Sequence, residues 1–295
     1  MKKLPFTGSG VAIITPFDGM KTNYEELGNL IEMHIANNTD AIIICGTTGE
    51  ASTMPDEEHL GAIRYTVEKT AGRIPVIAGT GANDTAHAIR LSKEAERIGA
   101  DGLLVVTPYY NKTSQHGLVE HYRMIAKEVS IPIILYNVPG RTGMNIEIST
   151  LKELSKIDNI VAVKEASGNI SYTARVAAEV PDLYIYSGND DMIVPVLSLG
   201  GKGVISVVAN ILPKQTHDIC KLYLDGDIES ARKLQLEMLP LINTLFVEVN
   251  PVPIKTAMNL LGYHAGNLRM PLFDMTPEHI QTLKNALDSY GVKKL

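Results

Sequence analysis

A closed (β/α)8 TIM barrel with additional C-terminal helices is the fold that three observations predict. Eight short apolar, β-branched runs follow one another, amphipathic stretches separate most of them, and turn residues gather where the runs end. Strands joined by single helices must lie parallel, because each crossover is a right-handed βαβ unit. Eight such units without a long linker favour closure, and an open doubly wound sheet is the architectural alternative.

The runs are Gly10 to Phe17, Ala41 to Gly46, Ile74 to Thr80, Gly102 to Pro108, Ile131 to Asn137, Ile160 to Ala166, Leu183 to Asn189 and Gly203 to Asn210. Between them the apolar spacing predicts helices over Tyr24 to Ala36, Asp56 to Thr70, Asp84 to Ile98, Gly117 to Val129, Ile148 to Lys156 and Tyr172 to Glu179. The units end near residue 225, so residues 1–225 are expected to form the barrel. Residues 226–295 then form a helical extension packed on it, with helices over Asp227 to Val249, Ile254 to Leu261 after Asn250-Pro251-Val252-Pro253, and Pro277 to Tyr290. That extension is either an accessory layer or an oligomerisation surface.

The 295 residues are 45% hydrophobic and 20% charged, the balance of a soluble globular protein. A net charge of -6 and a pI near 5.8 offer no basic field, so nucleic acid is not expected as a partner. Cys45 and Cys220, the two cysteines, lie in an apolar run and a helical pattern, as free thiols of a reducing compartment do. No apolar stretch reaches the roughly 18 residues of a membrane span, and Met-Lys-Lys-Leu-Pro-Phe-Thr-Gly lacks a signal peptide's apolar segment. The expected location is the cytoplasm, with no membrane partner.

Within the sixth run, Ile160-Val161-Ala162-Val163-Lys164-Glu165-Ala166, closed by Ser167-Gly168, one residue is out of character. Alternation puts Lys164 on the face of Ala162 and Ile160. Burial of an unpaired ammonium is costly, which favours the neutral amine, and a neutral amine attacks carbonyl carbon. The alternative is a lysine at the strand end that pairs with Glu165 or another acid and snorkels to water.

Barrel active sites lie where the strands end, and there this chain concentrates its polar and glycine residues. Gly46-Thr47-Thr48-Gly49-Glu50 offers backbone N–H groups and two hydroxyls suited to a carboxylate or phosphate, or forms an ordinary strand-end turn. Tyr136 shares the parity of Ile134 and faces the same interior as Lys164, where a phenol either fills the mouth or carries a proton. Arg141, after a Pro-Gly turn, is either a clamp for a carboxylate or a solvated loop arginine. Tyr109 and Tyr110 close the fourth run, where such a pair also packs loops, and Gly188 closes the seventh in Ser187-Gly188-Asn189-Asp190. His116 and His121, five apart, do not share a helix face, Cys45 and Cys220 form no Cys-x-x-Cys pair, and no Gly-x-Gly-x-x-Gly follows the first run. Neither a metal nor a nucleotide cofactor is expected.

Taken together, Gly46-Thr-Thr-Gly-Glu50, Thr107-Pro-Tyr-Tyr-Asn111, Leu135-Tyr-Asn-Val-Pro139, Arg141-Thr-Gly143, Val163-Lys-Glu-Ala166 and Gly203-Val-Ile-Ser206 resemble the pyruvate-dependent class I aldolase superfamily. That superfamily includes the dihydrodipicolinate synthases and the N-acetylneuraminate lyases, and the chain looks most like the former, end to end. The resemblance implies that Lys164 forms a Schiff base with pyruvate and that Thr48 holds its carboxylate through hydroxyl and backbone N–H. It implies a proton relay of Tyr136, Thr47 and Tyr110, with Tyr110 reaching into a neighbouring subunit's site.

By the same likeness Arg141 binds the carboxylate of L-aspartate 4-semialdehyde, while the Ile205 carbonyl and Gly188 adjoin the pyruvate-derived group. The assembly implied is a homotetramer built of two tight dimers. Arg141 argues against the sialic-acid lyases, which resemble this segment without the arginine. Asn189 departs from the family's usual acid. In some relatives lysine binds at a dimer interface, and Asn83, His59 and Tyr109 match that site, but Ala51 replaces a serine, Asp56 a histidine, and His87 the glutamate that pairs with the inhibitor's amine. Weak or absent inhibition by lysine is therefore expected. The competing readings are a sibling aldolase of sugar acids and a non-catalytic barrel that senses a metabolite.

Overall fold

The computed structural model describes residues 2–294. Eight parallel strands close a barrel in chain order: β1 (Gly8–Ala12), β2 (Ala41–Ile44), β3 (Val76–Gly79), β4 (Gly102–Val106), β5 (Ile133–Asn137), β6 (Ile160–Glu165), β7 (Tyr184–Ser187) and β8 (Gly203–Ser206). Closure runs through Gly8 opposite Gly203 and Gly10 opposite Ile205. Each strand is shorter than its apolar run; in all but β5, which ends with its run at Asn137, the last residues of the run leave the ladder for the loops at the barrel mouth.

The first strand shows the largest shift. It lies over Gly8–Ala12 rather than Gly10 to Phe17, and Phe17 instead opens a small hairpin in which Phe17–Asp18 pairs with Lys21–Thr22. The strand stops where the Asn210 side chain, at 3.1 Å, accepts the Ile14 N–H that a further ladder bond would have used.

Helices cover the outside: α1 (Tyr24–Ala36), α2 (Asp56–Thr70), α3 (Thr85–Ile98), α4 (Gln115–Lys127), α5 (Ile148–Leu154), α6 (Ile170–Glu179), α7 (Ile193–Ser198) and α8 (Pro213–Leu224). Caps explain the boundaries. Asp84 is the cap of α3 and not its first residue, and Ser114 accepts from the Gly117 N–H so that α4 begins before that glycine. Asn169 does the same for α6 through the Tyr172 N–H. Beyond the barrel lie α9 (Ile228–Thr244), α10 (Val252–Leu261) and α11 (Pro277–Tyr290). The first of these packs on α8 and α11. It ends five residues before Val249, and the chain from Leu245 to Pro251 turns back towards the barrel mouth.

Two cores result. Between sheet and helices lie residues such as Val11, Ile42, Ile63, Leu103, Tyr122 and Val163. Inside the barrel, Ile43, Ile77, Leu104, Ile134, Ala162 and Ile205 stack in layers. Phe6 plugs the lower end, its ring stacked on Tyr186 at 4.4 Å. Among the described residues no helix is long and apolar enough to cross a membrane.

His34, His59 and His121 are buried in the helical layer, and burial lowers the pKa of all three. His34 bonds Thr39 at 3.0 Å, and burial pushes its pKa down to about 3. His121 bonds Thr85 at 2.9 Å, and burial pushes it down to about 4. In the unfolded chain both titrate near 6.5, so there the unfolded state binds protons that the folded state refuses. The stability these groups contribute is present above pH 6.5 and is lost as pH falls towards 4 and then 3. Urea unfolding between pH 7.5 and 4.5 is expected to show stability falling below about pH 6.5, with His34 and His121 together contributing a slope approaching about 2.7 kcal/mol per pH unit, two protons' worth, and His59 adding in the same direction.

Candidate active site

The mouth of the barrel carries the predicted residues on adjoining strand ends. Tyr136 on β5, Lys164 on β6 and Tyr186 on β7 pair in register, so their side chains share one layer of the interior. The Tyr186 hydroxyl turns down to the Phe6 carbonyl. The Lys164 Nζ sits 4.3 Å from the centre of the Tyr136 ring, and the lysine is 6% exposed. An aromatic face at this distance attracts any positive charge carried by that nitrogen.

Lys164 does not pair with Glu165, which disposes of the snorkelling alternative. Glu165 lies on the other face of β6, where it accepts from the Asn137 Nδ2 and the Ser167 N–H, each at 2.7 Å. Burial raises its carboxyl pKa against those bonds. Asn137 in turn accepts from the Ile146 N–H and donates to Asn145, fixing the loop that carries Arg141. Just past the end of β7, Gly188 leaves space beside Lys164, since a Cβ there would lie 3.1 Å from the lysine Cε and 2.5 Å from the Ala166 Cβ. Any side chain at this position would push into Lys164 and Ala166.

The turn after β2 is held in an uncommon conformation. Cys45 and Glu50, which frame Gly46 to Gly49, both have left-handed backbones, with φ of 56° and 55°. Gly79 on the next strand lies so near that a Cβ would meet the Cys45 carbonyl at 2.2 Å. Glu50 is held by Lys255 at 2.7 Å and by the Arg269 N–H at 3.0 Å, all three residues being buried. Phe17 packs under both cations, its ring centre 4.1 Å from the Lys255 Nζ and 3.7 Å from the Arg269 guanidinium. So clamped, the turn leaves the Thr47 and Thr48 N–H groups without an acceptor among the described residues. The Thr48 hydroxyl receives the Asn250 Nδ2 at 3.0 Å, and the Asn250 carbonyl receives an Arg141 Nη at 2.9 Å.

A cavity of about 370 Å³ opens at this mouth, lined by Thr47, Tyr136 and Arg141 with Gly46, Leu104 and Val138, while Lys164, Thr48, Gly188 and Ile205 lie outside its lining. Its size suits small carboxylic acids. One arm extends to Ala51, Asp56, His59, His87 and Tyr109. There the His87 Nε2 lies 2.9 Å from Asp56, which also pairs with Arg90, while the His59 Nε2 bonds the Gly79 carbonyl at 2.8 Å. Asn83 is tied to this region through its carbonyl, which accepts from Asn111.

Tyr110 stands apart from the cavity. It is 93% exposed with φ of 69°, a strained backbone that turns the ring away from its own barrel. Ile205 is buried inside the barrel on β8. The loop after it is fixed by Asp190, whose Oδ2 accepts the Val207 and Val208 N–H groups at 3.0 and 2.8 Å. Burial raises the Asp190 carboxyl pKa, which the backbone bonds and the Lys164 charge oppose. Asn189, the departure from the usual acid, lies half-buried beside it.

Four contributors escape a sequence reading: Asp190, Asn250, Lys255 and Arg269. Lys255 leaves a signal, as a charge within the apolar Val252–Leu261 helix that demands a buried partner. Asn250 leaves none, because an asparagine before proline reads as a turn.

The matches to known proteins agree with this geometry. Residues 5–290 match the model of the dihydrodipicolinate synthetase family. The chain is 59% identical over 293 residues to 4-hydroxy-tetrahydrodipicolinate synthase of Acetivibrio thermocellus, covering 99% of this chain and 100% of that one. It is 60% identical to the protein of that name from Caldicellulosiruptor saccharolyticus, covering 97% and 98%. The crystal structure of dihydrodipicolinate synthase from Aquifex aeolicus superposes with a TM-score of 0.96 at 45% identity, over 98% of this chain and 99% of that one. With its enclosed lysine, its clamped Gly-Thr-Thr-Gly turn and a likeness that spans the barrel and the C-terminal helices alike, the chain belongs to the dihydrodipicolinate synthetase family.

Proposed function

We infer that this protein condenses pyruvate with L-aspartate 4-semialdehyde, giving 4-hydroxy-tetrahydrodipicolinate and water on the route to diaminopimelate and lysine. It is a lyase of the class I aldolase type. The observation that carries the mechanism is Lys164, enclosed in the barrel against Tyr136 beside a cavity that Arg141 also lines.

The Lys164 amine attacks the ketone carbon, and water leaves as the imine forms. The imine draws electrons from the methyl group, which loses a proton to become an enamine, and the enamine carbon attacks the aldehyde of the second substrate. That substrate's amine then adds to the imine carbon, closing the ring and expelling Lys164. Tyr136 is the immediate acid and base in this scheme, with Thr47 and Tyr110 completing the relay. Thr48 holds the pyruvate carboxylate by hydroxyl and N–H, and Arg141 the carboxylate of the semialdehyde. The Ile205 carbonyl and the bare Gly188 border the pyruvate-derived group.

Tyr110, exposed on its own subunit, would complete the site of a neighbour, which ties catalysis to a homotetramer of two tight dimers. The catalytic barrel is assigned to residues 1–225 and the helical extension to 226–295, and the location to the cytoplasm. Steady-state turnover of the two substrates, coupled to the NADPH-dependent reductase that consumes the product, tests the assignment. Absence of turnover by folded enzyme would reject it in favour of sugar-acid aldehydes.

Asn83, His59, Tyr109 and His87 mark an effector site adapted away from lysine. His87 offers no carboxylate, and the nearby Asp56 is already engaged by His87 and Arg90. An amine bound there would forgo a charge-assisted contact of roughly 1.5 to 3 kcal/mol. Titration calorimetry with L-lysine is expected to show weak or no binding, and tight binding would overturn this.

A further inference from the structure

We propose that Asn250, supplied by the chain between α9 and α10, is a positioning residue that sets the direction of the Thr48 hydroxyl. The proposal rests on the reading that Thr48 binds the pyruvate carboxylate.

A hydroxyl has one proton to give. With the Asn250 Nδ2 donating to the Thr48 Oγ1 at 3.0 Å, that oxygen is an acceptor inside the protein, and its proton stays available to a ligand. Among the described residues the Thr48 Oγ1 has no second partner and the Thr48 N–H has no acceptor. Two donors of one residue are thus left for an acceptor-only ligand such as a carboxylate. Both side chains are buried, Thr48 at 3% and Asn250 at 6% exposed, so no exchange with bulk water competes for the geometry.

The amide could also be turned so that its Oδ1 accepted the threonine proton, and the hydroxyl would then be spent within the protein. The Asn250 Oδ1 is buried without a partner among the described residues, so a turn of the amide would only exchange one orphaned group for another. A bound carboxylate breaks that balance in favour of the donating amide. The division of labour within Asn250 is clear: its side chain acts on Thr48, and its main-chain carbonyl holds Arg141. Side-chain substitutions therefore act on pyruvate and leave the second carboxylate site in place.

The test is the pyruvate dependence of borohydride trapping on Lys164 in the full-length enzyme, together with the KM for aspartate semialdehyde. Asn250→Ala, which frees the hydroxyl to rotate, is expected to raise half-saturating pyruvate about 10-fold. Asn250→Asp, which accepts the proton and adds a like charge, is expected to raise it about 100-fold. The KM for the semialdehyde should stay within about 3-fold in both. In a Thr48→Val background, Asn250→Ala should add less than about 2-fold, because it acts through the missing hydroxyl.

Asn250→Asp is nearly isosteric and carries the test alone if the alanine variant does not fold. A folded variant with an unchanged pyruvate dependence overturns the proposal, as does an alanine effect that multiplies undiminished with Thr48→Val. A semialdehyde KM that rises in step with pyruvate overturns it too, since a merely structural role would move both. No adduct in the unsubstituted enzyme would instead overturn the Schiff-base reading, and the proposal with it.

Discussion

Lys164→Ala is expected to lower turnover by about ten-thousand-fold or more and to abolish the borohydride-trapped pyruvate adduct, while the barrel stays folded. The size of the effect follows from what the amine does. It forms the only covalent bond between enzyme and substrate in the scheme, and without an imine the methyl protons of pyruvate are too weakly acidic for Tyr136 to remove. Neither Arg141 nor the Thr47–Thr48 turn can replace an electron sink. Lys164→Arg should rescue nothing, since a guanidinium does not become a neutral nucleophile in a protein. Stability should change by about 1 kcal/mol or less, because the lysine makes one ring contact and no ion pair among the described residues. Thermal unfolding beside the trapping experiment separates loss of the nucleophile from loss of the fold.

Much of this site is legible in the sequence, for a physical reason. Strand and helix periods are local, so the apolar runs locate the barrel strands within a few residues, and parallel closure then brings the strand ends together. Lys164 and Tyr136 could be put on one interior face by parity alone, and the register of β5 with β6 bears this out. What sequence could not supply was contact between distant segments. Asn250 lies 202 positions from Thr48, and Lys255 lies 205 from Glu50. No periodicity links such residues, and the C-terminal helices read from their pattern as a layer on the barrel. In the structure that layer reaches into the mouth and grips the turn of Thr47 and Thr48. The caps explain the smaller misses, since Ser114 and Asn169 set helix starts by side-chain bonds that apolar spacing does not register.

The grip itself can be measured through Lys255. Burial pulls its ammonium pKa down to about 8 even with Glu50 at 2.7 Å, so desolvation outweighs the attraction between the two charges, and the pair is poor as a source of stability. Its role is geometric, because Glu50 must keep a left-handed backbone for Thr47 and Thr48 to present their N–H groups. Lys255→Met is expected to cost about 3 to 5 kcal/mol, the usual penalty for leaving a buried carboxylate without its partner. Adding Glu50→Gln removes that orphaned charge and keeps an acceptor for the Arg269 N–H, so the double variant should recover most of the loss. Urea unfolding at a fixed protein concentration reads both changes. The pyruvate KM should not recover with the stability, because the double variant lacks the ion pair that orients the turn. If KM returned with stability, the clamp would be a matter of folding alone, and the turn would need no help from the C-terminal helices to hold its ligand.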